Sequence, residues 1–229
     1  MLGDIVLSAE RLNRTYGQGA RQVDALVDVT LEVRAGELVV LRGPSGSGKT
    51  TLLNILGGLD EPTSGTVWLG ERAVTGASES VKTDMRRHEI GFIFQNFALL
   101  SALTAAENIE LPMRISGVPA DQRGPRVAEL LDVVGLADHA AQRPLELSGG
   151  QQQRLGIARA IANDPRLIIA DEPTGQLDQE TGASIMRLLL DVVRAEGTTA
   201  LISTHDATLQ GLADASIRLT DGRVDPAGA

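Results

Sequence analysis

Residues 43–51 read Gly-Pro-Ser-Gly-Ser-Gly-Lys-Thr-Thr, directly after the run Glu37-Leu-Val-Val-Leu-Arg42. No other stretch limits the fold so sharply. Gly43-x-x-x-x-Gly48-Lys49-Thr50 has the spacing of a phosphate-binding loop, which requires a buried strand before it and a helix after it. The flanks predict both. Residues 37–41 are continuously apolar after the first, as in a strand covered on both faces, and 49–56 read as a helix. The glycines let successive backbone N–H groups turn inward on an anion, and the positive end of the helix points to the same place. Lys49 is one of only two lysines in the chain. It adds a point charge for the β- and γ-phosphates, and Thr50 offers a hydroxyl to Mg²⁺. Gly43, Pro44, Ser45, Gly46, Ser47, Gly48, Lys49, Thr50 and Thr51 are thus candidate nucleotide ligands.

Elsewhere, short apolar runs alternate with helical patterns. Ile5-Val-Leu7 is a short strand candidate. Val27, Val29, Leu31 and Val33 alternate with polar residues, the pattern of a half-exposed antiparallel strand. Strands are predicted near 67–69, 90–94, 167–170 and 198–203, and helices over 151–162 and 179–196. A hairpin is predicted around Asp221-Gly222. Residues 104–147 read as helical, broken at Gly117-Val-Pro119, Gly124-Pro125 and Gly135. Such alternation implies an α/β fold with a largely parallel sheet and right-handed crossovers. The helical stretch looks inserted into it.

Composition excludes some roles. The net charge of −9 argues against a passive nucleic-acid binder, which needs a basic face to displace counterions. The chain has no cysteine, so disulfides and thiolate metal sites are ruled out. The N-terminal residues lack the basic and apolar regions of a signal peptide. Nowhere in the sequence do about 18 apolar residues run together, so no bilayer-spanning helix is expected, and work at a membrane is expected to go through a partner.

A second metal ligand is expected at the tip of another buried strand. Leu167-Ile-Ile-Ala-Asp171-Glu172 supplies it. Asp171 can reach Mg²⁺, and Glu172 can polarise an attacking water. A guanine-specific protein would usually carry Asn-Lys-x-Asp. The nearest string, Val81-Lys82-Thr83-Asp84, lacks the Asn, which disfavours a GTPase.

Residues 147–151 read Leu-Ser-Gly-Gly-Gln and run into Gln-Gln-Arg-Leu-Gly-Ile-Ala-Arg. This resembles the signature of ABC-type ATPases. The order Tyr16, phosphate loop, Gln95, signature, Asp171-Glu172, Leu177-Asp178, His205 extends the resemblance along the whole chain. It implies a single ATP-binding domain: a P-loop NTPase core over about 1–95 and 152–229, an N-terminal antiparallel β subdomain, and an α-helical subdomain over about 96–151.

By resemblance, Tyr16 stacks on adenine, Gln95 touches Mg²⁺ and the lytic water, and His205 contacts the γ-phosphate. Asp178 resembles the aspartate that crosses the dimer interface; Gln176 stands where close members often carry Asn. Ser148, Gly149, Gly150 and Gln151, at a helix start, would form a second anion site. Two half-sites facing different ways suggest a head-to-tail homodimer, each signature capping the partner's ATP.

The strings Gly57-Gly-Leu-Asp-Glu-Pro-Thr-Ser-Gly65 and Ala106-Glu-Asn-Ile-Glu-Leu-Pro112 look most like the MacB/LolD-type exporters. That implies an FtsX-like permease partner and a place on the cytoplasmic face of the membrane. Phe97, Leu99 and Leu100 are expected to line a groove for a permease helix. The rival reading is an ABC ATPase outside transport, transmitting force as in cell division or, less favoured, acting on nucleic acid.

Overall fold

A computed structural model of the chain describes residues 4–205 and 211–225. It divides into two compact units, Met1–Arg86 with Thr199–Ala229, and Arg87–Thr198.

The first unit begins with β1 (Ile5–Tyr16), paired antiparallel with β2 (Val23–Arg34) and with β4 (Ser64–Leu69); β4 pairs in turn with β5 (Arg72–Ala73). β1 is far longer than the three residues expected. Arg11, at φ 48°, marks an extra residue between Ala9 and Leu12, and such a bulge interrupts the alternation from which strands are read. A second extra residue sits in β2 beside Asp28, at φ 52°. Val29, Leu31 and Val33 are buried as expected. Upstream of the bulge the phase slips, so Leu26 is buried and Val27 only half so.

β3 (Leu38–Arg42) lies parallel to β8 (Thr199–Ser203) on one side and to β9 (Ala215–Thr220) on the other. β9 turns at Asp221-Gly222 into β10 (Arg223–Val224), the expected hairpin. The loop after β3 leads into α1 (Lys49–Leu56), whose Leu52, Leu53, Ile55 and Leu56 are buried.

One helix of this unit has no apolar signature. α2 (Glu79–His88) buries only Met85 and Lys82. Lys82 Nζ donates to Glu61 and, at 3.2 Å, to Glu79. The ion pairs compensate for a charge that burial alone would penalise. Both lysines of the chain are therefore buried, Lys49 at 5% exposure and Lys82 at 4%.

In the second unit β6 (Ile90–Ile93) pairs parallel with β7 (Leu167–Asp171). Four helices accompany them: α3 (Ala105–Ile115), α4 (Ala120–Val133), α5 (Gly149–Ala160) and α6 (Gln179–Glu196). Thr104 and Glu107 form a reciprocal capping box at the start of α3. α6 matches its expected span, stopping at Gly197 in the left-handed region.

α4 runs through Gly124-Pro125, where a break was expected. An interior proline costs about 3 kcal/mol. Here it falls in the exposed early part of the helix, and burial of Val127, Leu130 and Leu131 offsets it at roughly 1.5–3 kcal/mol each. Among the described residues no helix is long and apolar enough to cross a membrane.

Candidate functional site

In the first unit the loop from Gly43 to Gly48 is held on three sides. Gly222 N–H donates to the Ser47 carbonyl at 3.1 Å, so the β9–β10 turn grips the loop from below. Ser47 N–H closes a turn on the Pro44 carbonyl at 3.2 Å. Gly48, the N-cap of α1, adopts φ 101°, and a Cβ there would come within 2.4 Å of the Ala25 carbonyl oxygen. Only glycine satisfies both the backbone angle and the approach of β2.

Inside this frame Lys49 Nζ donates to the carbonyls of Gly43 at 2.9 Å and Pro44 at 3.2 Å. The ammonium is thereby folded back over the loop. Ser47 Oγ is buried and has no hydrogen-bond partner among the described residues. A buried hydroxyl without a partner is costly in a finished structure, and a phosphate oxygen would satisfy it. Gly46 faces open space. Thr50 stands exposed in the first turn of α1, beside half-exposed Thr51.

An open cleft of about 440 Å³ adjoins the loop, lined by Arg42, Gly43, Pro44, Thr204, His205 and Arg218. The structure thus brings His205, just past β8, beside the start of the loop. It adds two cations, Arg42 and Arg218, that the sequence reading did not single out. Arg42 Nη2 donates to Ser216 Oγ at 2.7 Å across the β3–β9 pair. Their signal was present: an arginine at the C-terminal end of β3 and another in the C-terminal half of its parallel neighbour β9, near where ligands gather.

Tyr16 is the last residue of β1 rather than a residue after it, and it lies outside the lining of that cleft. The Arg14 guanidinium stacks on its ring, 4.3 Å from the centroid.

The second unit holds the remaining candidates. Ser148 is the N-cap of α5, and its box with Gln151 is reciprocal. Gln151 N–H donates to Ser148 Oγ at 3.3 Å, and Ser148 N–H donates to Gln151 Oε1 at 2.9 Å. With Oε1 so engaged, Gln151 Nε2 donates to His139 Nε2 at 3.1 Å. That places the imidazole proton on Nδ1, which donates to Gln142 Oε1 at 2.8 Å. Gly149 and Gly150 contribute first-turn N–H groups that no intrahelical acceptor can meet. A Cβ on Gly150 would come within 2.7 Å of Thr181 Cγ2, so the helix start lies tight against the start of α6.

Asp171 ends β7, and Glu172 follows in the left-handed region at φ 42°. A non-glycine residue there stores strain, which clusters at working sites. Both carboxylates are half-exposed. Gln95 reaches the turn beyond them: its Nε2 would lie 2.7 Å from a Cβ on Gly175. Asp178 caps α6, accepting from Thr181 N–H at 2.9 Å. The hydrogen bonds from Thr181 hold its carboxyl below the ordinary aspartate range. Within the second unit, Gln95, the signature and the 171–178 turn are thus drawn together.

Arg159 was missed by sequence reading. It donates to the carbonyls of Ala98 and, at 3.1 Å, Phe97. Burial pushes its guanidinium below the ordinary arginine range. The signal was a charge in the apolar second half of α5.

Comparison with known proteins agrees with this geometry. Residues 26–175 match the family described as ABC transporter. The macrolide export ATP-binding/permease protein MacB of Salmonella typhimurium is 45% identical over 213 residues, 93% of this chain but only 33% of that protein. The lipoprotein-releasing system ATP-binding protein LolD of Gluconobacter oxydans is 44% identical over 224 residues, 98% of this chain and 97% of its own. Among solved structures, the dimeric, post-hydrolysis ATP-binding cassette MJ0796 bound to ADP and Pi superposes with a TM-score of 0.88, at 41% identity and 96% coverage of both chains. The phosphate loop, the signature at the head of α5 and these likenesses lead to one conclusion: the chain belongs to the ABC transporter family, as an ATP-hydrolysing ATP-binding subunit of the MacB and LolD type.

Proposed function

We propose that this subunit hydrolyses ATP in head-to-tail dimers to drive an FtsX-like membrane permease. The observation that carries the reading is the pair of helix N-termini built for anions: the loop before α1, with its unpartnered Ser47 hydroxyl, and the Ser148 cap of α5. Each subunit offers two half-sites and needs a second copy to complete either.

Lys49 and the loop N–H groups hold the β- and γ-phosphates, and Tyr16 stacks on adenine. Glu172 takes a proton from water as the water oxygen bonds to the γ-phosphorus and the bond to the β–γ bridging oxygen breaks. His205 and Gln95 position phosphate and water. Thr50, Asp171 and Gln95 offer hard oxygen donors, a set that suits Mg²⁺. When bound, the ion would draw charge from the phosphate oxygens. Asp178 reaches across to the partner's nucleotide. The helical residues of about 96–151 carry the nucleotide state to the permease, which holds the subunit at the cytoplasmic face. MacB, three times the length of the matching segment, is named for both activities, which supports a permease as the partner.

Glu172→Gln tests the chemistry. Its amide accepts no proton, so hydrolysis should fall about a hundredfold or more. ATP binding should persist and nucleotide-bound dimers should accumulate on a sizing column. Normal turnover would remove Glu172 from this role.

A further inference from the structure

Tyr16 is the only tyrosine of the chain, and two side chains fix it. Its hydroxyl donates to Asp60 Oδ2 at 2.7 Å. Arg14 Nη2 donates to Asp60 Oδ1 at 2.8 Å, while the same guanidinium covers one face of the ring. One carboxylate therefore holds both the ring and the cation stacked on it. A phenol tied only through its oxygen could still rotate about its long axis. The guanidinium, anchored to the same carboxylate, blocks that rotation. Tyr16 keeps 39% of its surface exposed, so the uncovered side of the ring is available.

Asp60 is itself anchored. The N–H groups of Leu59 and Asp60 donate to the Asn54 carbonyl, at 2.8 and 3.3 Å, in the last turn of α1. Thr63 N–H donates to the Asn13 carbonyl at 2.7 Å, and Thr15 N–H to Thr63 Oγ1 at 3.0 Å. The loop after α1 is thus tied to the strand that carries the ring. α1 starts at Lys49 and carries, at Asn54, the carbonyl that anchors Asp60, so one helix links the phosphate grip to the loop that ties the ring.

We propose that Asp60, acting with Arg14, is a positioning residue for the nucleobase: it sets the plane of Tyr16 and leaves one face for a planar base to stack upon. This rests on the reading that Tyr16 stacks on adenine. A ring fixed in advance loses little freedom when the base arrives, and binding is correspondingly tighter. The contribution acts on the base alone, since neither Asp60 nor Arg14 lines the cleft beside the phosphate loop.

Calorimetric titration of the full chain with ATP and with inorganic tripolyphosphate, both with Mg²⁺, separates the possibilities. Tyr16→Ala should weaken ATP binding about tenfold, the size of a lost base stack, and leave tripolyphosphate unchanged. Asp60→Ala should weaken ATP roughly threefold to tenfold, the span of one or two lost hydrogen bonds, again sparing tripolyphosphate. Tyr16→Phe, which keeps the ring and loses the tie, should resemble Asp60→Ala. In the double variant Tyr16→Ala with Asp60→Ala, the second change should add nothing. Equal losses for ATP and tripolyphosphate would make Asp60 a purely structural tie and overturn the proposal. So would additive losses in the double variant, or full ATP affinity in Asp60→Ala while Tyr16→Ala is impaired. Full affinity in Tyr16→Ala would sink the base-stacking reading itself.

Discussion

In the proposed function Lys49 and Ser148 meet the same kind of anion by different means. Lys49 is buried, its Nζ held by two carbonyls of its own loop, so its charge is in place before any phosphate arrives. Ser148 spends its hydroxyl lone pair and its N–H on the box with Gln151, and serves mainly by placing the N–H groups of Gly149 and Gly150. The two should therefore fail differently. Lys49→Ala should lose ATP binding in the isolated subunit. Ser148→Arg should keep that affinity and lose hydrolysis, because in the proposed head-to-tail dimer the signature acts only on the nucleotide of a second copy. Titration at low protein concentration, paired with phosphate-release assays, tells them apart. Equal loss of affinity in both would contradict the two half-sites. The positions of Lys49, Asp171 and Glu172 in the fold were legible because each stands one or two residues from a buried strand or a glycine turn that places it. What Arg42, Asp60 and Arg159 hold was not. Their partners lie far off in sequence, as Tyr16 does from Asp60 and Phe97 from Arg159.

The segment between β6 and α3 shows an element whose shape is imposed from outside. Phe97 and Ala98 adopt left-handed backbone in succession, at φ 61° and 49°. That costs about 1–2 kcal/mol for each residue with a side chain. Arg159 holds both carbonyls, and buried Asn108 accepts from Leu100 N–H at 2.9 Å while donating to the Leu100, Leu103 and Thr104 carbonyls. Arg159→Ala should destabilise the second unit by roughly 2–4 kcal/mol, as expected for losing charged, buried hydrogen bonds, and amides 96–100 should exchange faster. Ala98→Gly in that background should restore about 1 kcal/mol, because glycine takes this backbone freely. Denaturant melts with hydrogen exchange check both. No recovery would mean that the strain is not what Arg159 contains. α1 and α6 were readable from their helical patterns. α2 was not, because its buried face is a lysine and a methionine. The bulges of β1 and β2 concealed part of the alternation for the same kind of reason: each needs a neighbouring strand to exist.

At the scale of the molecule, the proposed permease needs a surface to grip. Phe97 and Leu99 are half-buried, while Leu100 is 48% exposed beside the segment that Arg159 holds. Leu100→Asp should leave the subunit folded and able to bind ATP, yet weaken its recovery with the permease from solubilised membranes by about tenfold, as for one buried anchor lost. A cysteine at position 100 would be the only one in the chain, so its cross-links in intact membranes report the contact directly. Links from other faces to the permease, with none from this one, would place the coupling elsewhere. The sequence by itself determined the family, the parallel α/β alternation, the phosphate loop and the signature. These rest on backbone requirements that a few adjacent residues meet or fail: a glycine angle, a cap, an apolar run. Tertiary structure alone decided which side chains hold those motifs in working geometry: Asp60 and Arg14 on Tyr16, Arg159 on the 97–98 turn, Arg42 and Arg218 around His205's cleft. Such contacts depend on strands and helices meeting in space. Hydrogen bonds and stacked charges fix geometry only over a few ångströms, and nothing in the spacing of residues along a chain records that distance.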